Sequence, residues 1–361
     1  MKKKIVCVYG ARPNFMKMAP VIKELEKDGH SLCIVHTGQH YDDNMSTNIL
    51  KDLELRAPDY HLDMMNGTHA QQTAKIMIEF EKICIALSPK VVIVAGDVNS
   101  TLACAIVASK LHIKVAHVES GLRSFDKRMP EEINRIATDH ISDFLFTTEK
   151  SGNINLEKEG IHKSKIHFVG NCMIDSLVEY IGYAKKISPW EKYEILENGY
   201  ALVTMHRPSN VDTKQDLLKY INIINEVNKH YTVLFPCHPR TLQNIRRFDL
   251  SLDESVKLLE PLSYIEFLGL LSKAKLVMTD SGGIQEETTF LKIPCITLRD
   301  NTERPVTIEV GTNILAGTKF KDILNQVEKI KNNDIKSGDI PKYWDGESAK
   351  RISKVINGYI N

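Results

Sequence analysis

The sequence lacks several signatures that would settle a function at once. It has no G-x-G-x-x-G, so a dinucleotide cofactor held in the usual way is not supported, and no G-x-x-x-x-G-K-[ST], which disfavours a P-loop nucleotidase. It has no G-x-S-x-G elbow. No run approaches the roughly 18 apolar residues of a membrane span. The seven cysteines (Cys7, Cys33, Cys84, Cys104, Cys172, Cys237, Cys295) form no C-x-x-C, and most lie in apolar runs. Neither a disulfide framework nor a zinc ribbon is expected; these read as buried free thiols in a reducing cytoplasm. Neither sign of charge is in excess, with 47 Lys plus Arg against 46 Asp plus Glu. That balance argues against a protein built around a nucleic-acid backbone or an anionic membrane. The start, MKKKIVCVYGARPNF, has too short an apolar run for a secretory leader.

What is present is a regular alternation. At roughly 100–200 residues per domain, the 361 residues suggest two or three domains. Short β-branched runs predict strands at 4–9, 31–37, 90–95, 114–118, 144–147 and 165–169, interleaved with helical patterns at 16–27, 70–87, 101–111, 131–140 and 174–185. A polar stretch, 186–199, reads as a linker. The rhythm then restarts, with strands at 200–205, 232–236, 275–279 and 294–298 and helices at 217–229, 265–271, 284–291 and 320–331. We therefore expect an α/β fold of two doubly wound parallel sheets, residues 1–185 and 186–345, with a helix at 346–361 packing back on the first domain. In such sheets ligands bind beyond the carboxyl ends of the strands.

The polar clusters fall just there. Gly10-Ala11-Arg12-Pro13, with Lys17 following, is either a plain strand–helix turn or an anion site at a helix N-terminus. Asp97 either caps the next helix or faces a ligand. His117 and Glu119 interrupt an apolar strand end, where carboxylates tend to be paired or functional. Glu131 and Glu132 open a helix and suit its dipole, and Arg135 stands one turn from Glu131. His206-Arg207 and His238-Pro239-Arg240 end two strands of the second half and together suggest anion binding. The strongest local signal is Thr279-Asp280-Ser281-Gly282-Gly283-Ile284-Gln285-Glu286-Glu287, whose glycines and Ser hydroxyl form a phosphate cradle at a helix N-terminus. His36 and His40 have i,i+4 spacing but straddle a strand end, so no metal site is expected.

Four of these blocks in order, HVESGLR at 117–123, PEEINR at 130–135, DSGGIQEE at 280–287 and RDNTERP at 299–305, resemble the non-hydrolysing UDP-N-acetylglucosamine 2-epimerases of bacteria and archaea. The resemblance runs from Gly10 to about Gly317. It implies two Rossmann-like domains facing a cleft (a glycosyltransferase-B-like fold) in a cytoplasmic homodimer with a UDP-sugar substrate, no cofactor and no metal. It assigns Asp97, Glu119 and Glu131 to proton transfer and His206 to the diphosphate. Arg12, Lys17, Ser281, Gly282, Gly283, Glu287 and Arg304 would contact the nucleotide-sugar, Phe267 would pack on uracil, and Arg135 would orient the acids. The family's route eliminates UDP across C1–C2, passes through a 2-acetamidoglucal, and reprotonates C2 on the other face. Its product, UDP-ManNAc, would supply surface polysaccharide.

Two departures qualify the match. The family's H-R-x-E-N reads His206-Arg207-Pro208-Ser209-Asn210, and Ser209 in place of Glu puts allosteric activation by UDP-GlcNAc in doubt. The segment between Arg123 and Pro130, SFDKRM, is shorter than in many bacterial relatives, and together with HTGQHYDDNMS at 36–46 it resembles a branch that includes epimerases for UDP-2,3-diacetamido-2,3-dideoxy-glucuronate and related C6-modified sugars. A hydrolysing epimerase and a glycosyltransferase of the same fold rank below.

Overall fold

The structure, a computed structural model, describes residues 4–38, 52–62 and 67–360, and at Arg12 the backbone alone. The chain divides into two compact units, Met1–Val178 with Lys342–Asn361, and Glu179–Pro341.

In the first unit the strands are β1 (Ile5–Tyr9), β2 (Leu32–His36), β3 (Tyr60–His61), β4 (Val91–Ala95), β5 (Lys114–Ser120), β6 (Phe144–Thr147) and β7 (Ile166–Phe168). They form one sheet in the order β3-β2-β1-β4-β5-β6-β7, every ladder parallel. Its helices are α1 (Arg12–Lys27), α2 (His69–Leu87), α3 (Asn99–Lys110), α4 (Pro130–Ile141), α5 (Lys150–Lys158) and α6 (Cys172–Lys186). Runs such as Val91–Ala95 are apolar at every position because helices cover both faces of a parallel sheet. One side of the core joins Val6, Val35, Val92 and Val94 to Ile76, Phe80, Cys104 and Val107.

The second unit repeats the winding. It begins within α6 and continues through α7 (Pro189–Lys192), β8 (Tyr200–Thr204), α8 (Pro208–Val211), α9 (Lys214–Asn228), β9 (Thr232–Pro236), α10 (Pro239–Arg247) and β10 (Lys257–Leu259). Next come α11 (Tyr264–Leu271), β11 (Leu276–Thr279), α12 (Gly282–Leu291), β12 (Cys295–Thr297), α13 (Pro305–Glu309), β13 (Asn313–Leu315) and α14 (Phe320–Lys331). The sheet order is β10-β9-β8-β11-β12-β13, again all parallel. In both sheets the order reverses beside the first strand, between β1 and β4 and between β8 and β11. Loops leaving the carboxyl ends diverge there and open a crevice.

The boundary between units falls inside α6, ahead of the polar stretch read as a linker, and that stretch holds α7 with Trp190 buried. The alternation missed short elements: the edge strands β3, β10 and β13, and α5 and α10, whose sequences carry too few apolar residues to mark a face. Helix α1 begins at Arg12 rather than Met16, since Pro13 pre-sets the φ of a first turn. All seven cysteines are buried, and none is joined in a disulfide. Burial pushes the thiols of Cys84, Cys237 and Cys295 up to about 12, so they serve as packing groups. Among the described residues no helix is long and apolar enough to cross a membrane, and no group of three or more His, Cys, Asp or Glu is placed to hold a metal ion.

The last helix, α15 (Ser348–Ile360), packs on α1 within the first unit. Asp175 caps it, accepting hydrogen bonds from the N–H groups of Ser348 at 3.2 Å and Ala349 at 2.7 Å. Trp344 is buried and its indole N–H donates to the Thr148 carbonyl at 3.0 Å. Asp175→Ala should therefore lower stability by about 1–2 kcal/mol, measured as a urea midpoint followed through Trp344 fluorescence.

Candidate active site

In the first unit the loops after β1, β4 and β5 and the start of α4 meet at the sheet's switch point. Lys17, on α1, forms a buried ion pair with Glu119. Asn14, one turn earlier on α1, donates to the Ala95 carbonyl at the end of β4. Gly96 follows with φ of 68°, a left-handed turn that glycine enters without strain. A Cβ there would lie 3.2 Å from Lys17 Nζ and 3.4 Å from Glu119 Oε2, so the backbone passes directly under the ion pair. Asp97 comes next. Helix α3 starts at Asn99 with no side-chain cap, and Asp97 instead pairs with Arg135 of α4.

Arg135 is itself buried. Its other amino group donates to Glu132 Oε2 at 2.7 Å. Glu132 also accepts from the Ser124 N–H and hydroxyl and from the Phe125 N–H, each at 2.9 Å. One carboxylate thus anchors both the loop entering α4 and the arginine that holds Asp97. Glu131 precedes it, exposed in the first turn and one turn from Arg135, hence on the face that Arg135 shares. Behind the strand ends, buried Asp139 accepts from His117 at 2.7 Å, from Arg123 at 2.7 Å and from the Gly121 N–H at 3.1 Å. Burial pushes the Asp139 carboxyl up, but the hydrogen bonds and charges of His117 and Arg123 outweigh it, and the group lies below its ordinary value.

In the second unit the organising group is Asp280, buried after β11. It accepts from the backbone N–H groups of His206 at 3.1 Å and Arg207 at 2.9 Å, and from the Asn210 amide at 3.1 Å. His206 Nδ1 lies 3.0 Å from Oδ1, which fixes the ring and leaves Nε2 as the outward-acting nitrogen of a half-exposed imidazole. Burial raises the Asp280 carboxyl, but the bonds from His206 and Arg207 more than offset this, holding it below the usual carboxylate range.

Helix α12 opens beside it. Its first turn contains no acid, and Ser281 at the N-cap makes no side-chain cap bond. The first N–H groups of the helix have no partner within it and present a positive end to an anion. Arg304 packs against this turn: a Cβ on Gly282 would collide with its guanidinium and lie 3.1 Å from Glu303 Oε1. Glu286 at 2.7 Å and Glu303 hold Arg304 in place. Glu287 is buried and accepts from the Tyr264 hydroxyl at 3.1 Å.

The structure thus joins Lys17 to Glu119 and Asp97 to Arg135 around Gly96, and places Ser281, Gly282, Gly283, His206 and Arg304 around the start of α12. Phe267 is mostly buried in α11, and the residue of that helix that reaches Glu287 is Tyr264. The side chain of Arg12, and His40, lie outside the described residues. Sequence reasoning singled out no organising role for Asp280, Asp139, Glu132 or Tyr264. The signal available was acidic residues at positions surrounded by buried neighbours, as in Thr138-Asp139 and Thr279-Asp280.

Two parallel sheets of the same winding, each with a polar cluster at its switch point, define a two-domain α/β enzyme of the glycosyltransferase-B-like architecture. Comparison with known proteins narrows this. The sequence model of the UDP-N-acetylglucosamine 2-epimerase family matches residues 23–357. The UDP-N-acetylglucosamine 2-epimerase of Methanococcus maripaludis is 44% identical over 98% of this chain and 98% of its own. The UDP-2,3-diacetamido-2,3-dideoxy-D-glucuronate 2-epimerase of Pseudomonas aeruginosa is 40% identical over 98% of this chain and 99% of its own. The crystal structure of Methanocaldococcus jannaschii UDP-GlcNAc 2-epimerase in complex with UDP-GlcNAc and UDP matches with a TM-score of 0.92 at 42% identity, covering 98% and 99% of the two chains. The chain belongs to the UDP-N-acetylglucosamine 2-epimerase family.

Asp280 gives a pH-dependent prediction. A carboxyl held below its ordinary value stabilises the fold above that value and loses the contribution as pH falls through the folded-state value. Asp280→Asn should cost about 1–3 kcal/mol at pH 7. The gap from wild type should narrow below about pH 4, read by urea unfolding across pH.

Proposed function

We propose that the protein is a non-hydrolysing 2-epimerase interconverting UDP-GlcNAc and UDP-ManNAc by elimination and re-addition of UDP. The observation that carries this reading is the arrangement around Gly96, where Glu119, paired with Lys17, stands beside the turn that presents Asp97, paired with Arg135. A hexosamine C2 proton is not adjacent to a carbonyl and is only weakly acidic. Removing it without a redox cofactor requires a leaving group on C1. In the forward step the C2–H and C1–O bonds break, C1=C2 forms, the proton passes to a carboxylate, and UDP departs with the bonding pair. In the return step a carboxylic acid protonates C2 on the opposite face while a diphosphate oxygen re-forms the bond to C1.

Glu119 and Asp97, with Glu131, divide the base and acid roles. Lys17 holds Glu119 in direction, and Arg135 holds Asp97. The Ser281 N–H already donates to the Thr279 hydroxyl at 3.0 Å, so the departing diphosphate is stabilised by the Ser281 hydroxyl, by the N–H groups of Gly282 and Gly283, by Arg304 and by His206 Nε2. Glu287 takes the ribose hydroxyls, and Phe267 supports the uracil side. Arg12 adds charge at the α1 N-terminus. The enzyme works as a homodimer, and its product serves surface polysaccharide synthesis. A second reading keeps the chemistry and changes the sugar to a UDP-2,3-diacetamido-2,3-dideoxy-glucuronate; the 40% identity to the Pseudomonas aeruginosa epimerase favours it.

The test is proton NMR of the protein with UDP-GlcNAc in D2O without added cofactor. Deuterium entering C2 as UDP-ManNAc forms is the expected result. Free ManNAc with UDP would assign a hydrolysing enzyme, and turnover of the diacetamido-uronate alone would assign the second sugar. Glu119→Gln and Asp97→Asn should each lower kcat by about 100-fold or more while UDP still binds. Gly282→Ala should weaken UDP binding about tenfold in a titration, because the methyl group displaces Arg304.

A further inference from the structure

His117 sits on β5, fully buried, two residues before Glu119. Each of its ring nitrogens meets an acceptor. Nδ1 lies 2.7 Å from Asp139 Oδ1, and Nε2 lies 2.7 Å from the Gly96 carbonyl. A carbonyl oxygen can only accept, so Nε2 carries a hydrogen and donates to Gly96 wherever the proton shared with Asp139 resides. The Gly96 N–H in turn donates to the Val118 carbonyl at 3.0 Å. Both peptide groups flanking the left-handed Gly96 are therefore tied to β5, and Asp97 is the next residue.

The same Asp139 reaches the other carboxylate. Strand β5 shifts register between Val118 and Ser120, where Glu119 has φ of 70° and Gly121 φ of 80°. A non-glycine residue in the left-handed region costs energy and persists where its surroundings hold it. The Gly121 N–H donates to Asp139 Oδ2 at 3.1 Å, and Arg123 donates to the same oxygen at 2.7 Å. Arg123 is held from the far side by Glu159, at 2.8 and 2.6 Å. One buried carboxylate thus fixes the turn that carries Asp97, through His117, and the bulge that carries Glu119, through Gly121.

We propose that His117 and Asp139 form a positioning pair that sets the placement of Asp97 and Glu119 relative to each other, with the His117-to-Gly96 hydrogen bond as its working contact. This rests on the function proposed above. A pair that touches no substrate but sets two reacting groups acts on turnover rather than on nucleotide affinity, since a misplacement of about 1 Å costs on the order of 100-fold in rate.

Two isosteres separate the contacts. The Asn amide nitrogen falls near Nδ1 and keeps a donor toward Asp139 while losing Gly96. The Gln amide nitrogen falls near Nε2 and keeps the donor to Gly96. Deuterium incorporation at C2 is measured in D2O for wild type, His117→Asn, His117→Gln and Asp139→Asn, with KM, UDP affinity by titration, and melting temperature. Expected are a kcat lowered about 10- to 100-fold in His117→Asn and Asp139→Asn, KM and UDP affinity within about twofold of wild type, and His117→Gln recovering most of the rate. Asp139→Asn carries the test where His117→Asn does not fold. Wild-type kcat in either variant, equal loss in His117→Asn and His117→Gln, or a KM rise that matches the loss of rate would overturn the proposal. A wild-type protein that exchanges no C2 proton from either UDP-sugar would instead sink the functional reading, so the two failures are told apart in the same experiment.

Discussion

In each unit one buried carboxylate gathers the loops that leave the carboxyl ends of the parallel strands. Asp139 collects the side chains of His117 and Arg123 and the backbone of Gly121; Asp280 collects the backbone of His206 and Arg207 and the amide of Asn210. A carboxylate out of water is costly unless several donors surround it, and then those donors are fixed by the same cost. Neither residue lies on the element it organises: Asp139 is in the last turns of α4 but holds the end of β5, and Asp280 follows β11 but holds the loop after β8. That cross-linking turns flexible strand–helix connections into rigid sites, on which the groups facing ligand take their places.

The parallel architecture was legible because its cause is simple. A strand covered by helices on both faces is apolar nearly throughout, and Val91–Ala95 and the Leu276–Met278 part of β11 show this without help from their surroundings. Edge strands escaped notice for the converse reason. Tyr60–His61 and Lys257–Leu259 are partly or fully exposed and gain their strand geometry from one neighbour, so their own residues carry little signal. Helix α10 likewise has a charged sequence, PRTLQNIRR, and buries only Thr241 and Ile245.

For the candidate site, residue type and place after a strand marked Asp97, Glu119 and the Gly282–Gly283 turn as candidates, and the family resemblance supplied their expected roles. Partnership was not legible. Glu132 looked like a dipole-complementing acid, yet it is buried and binds four donors, because the chain from Ser124 to Phe125 folds back over it. Arg135 was expected to orient the acids, and it pairs with Asp97 across 38 residues. Contacts between loops from different strands depend on where the sheet order reverses, and strand order is not written in the periodicity of any one strand.

The return of the chain to the first unit also fixes an order of events during synthesis. Residues 179–341 leave the ribosome as a complete unit while residues 342–360 are still to come. Until then α1 lacks the helix that covers it, Asp175 lacks the N–H groups it caps, and the backbone at Thr148 lacks the Trp344 indole. The half of the molecule made first is therefore finished last.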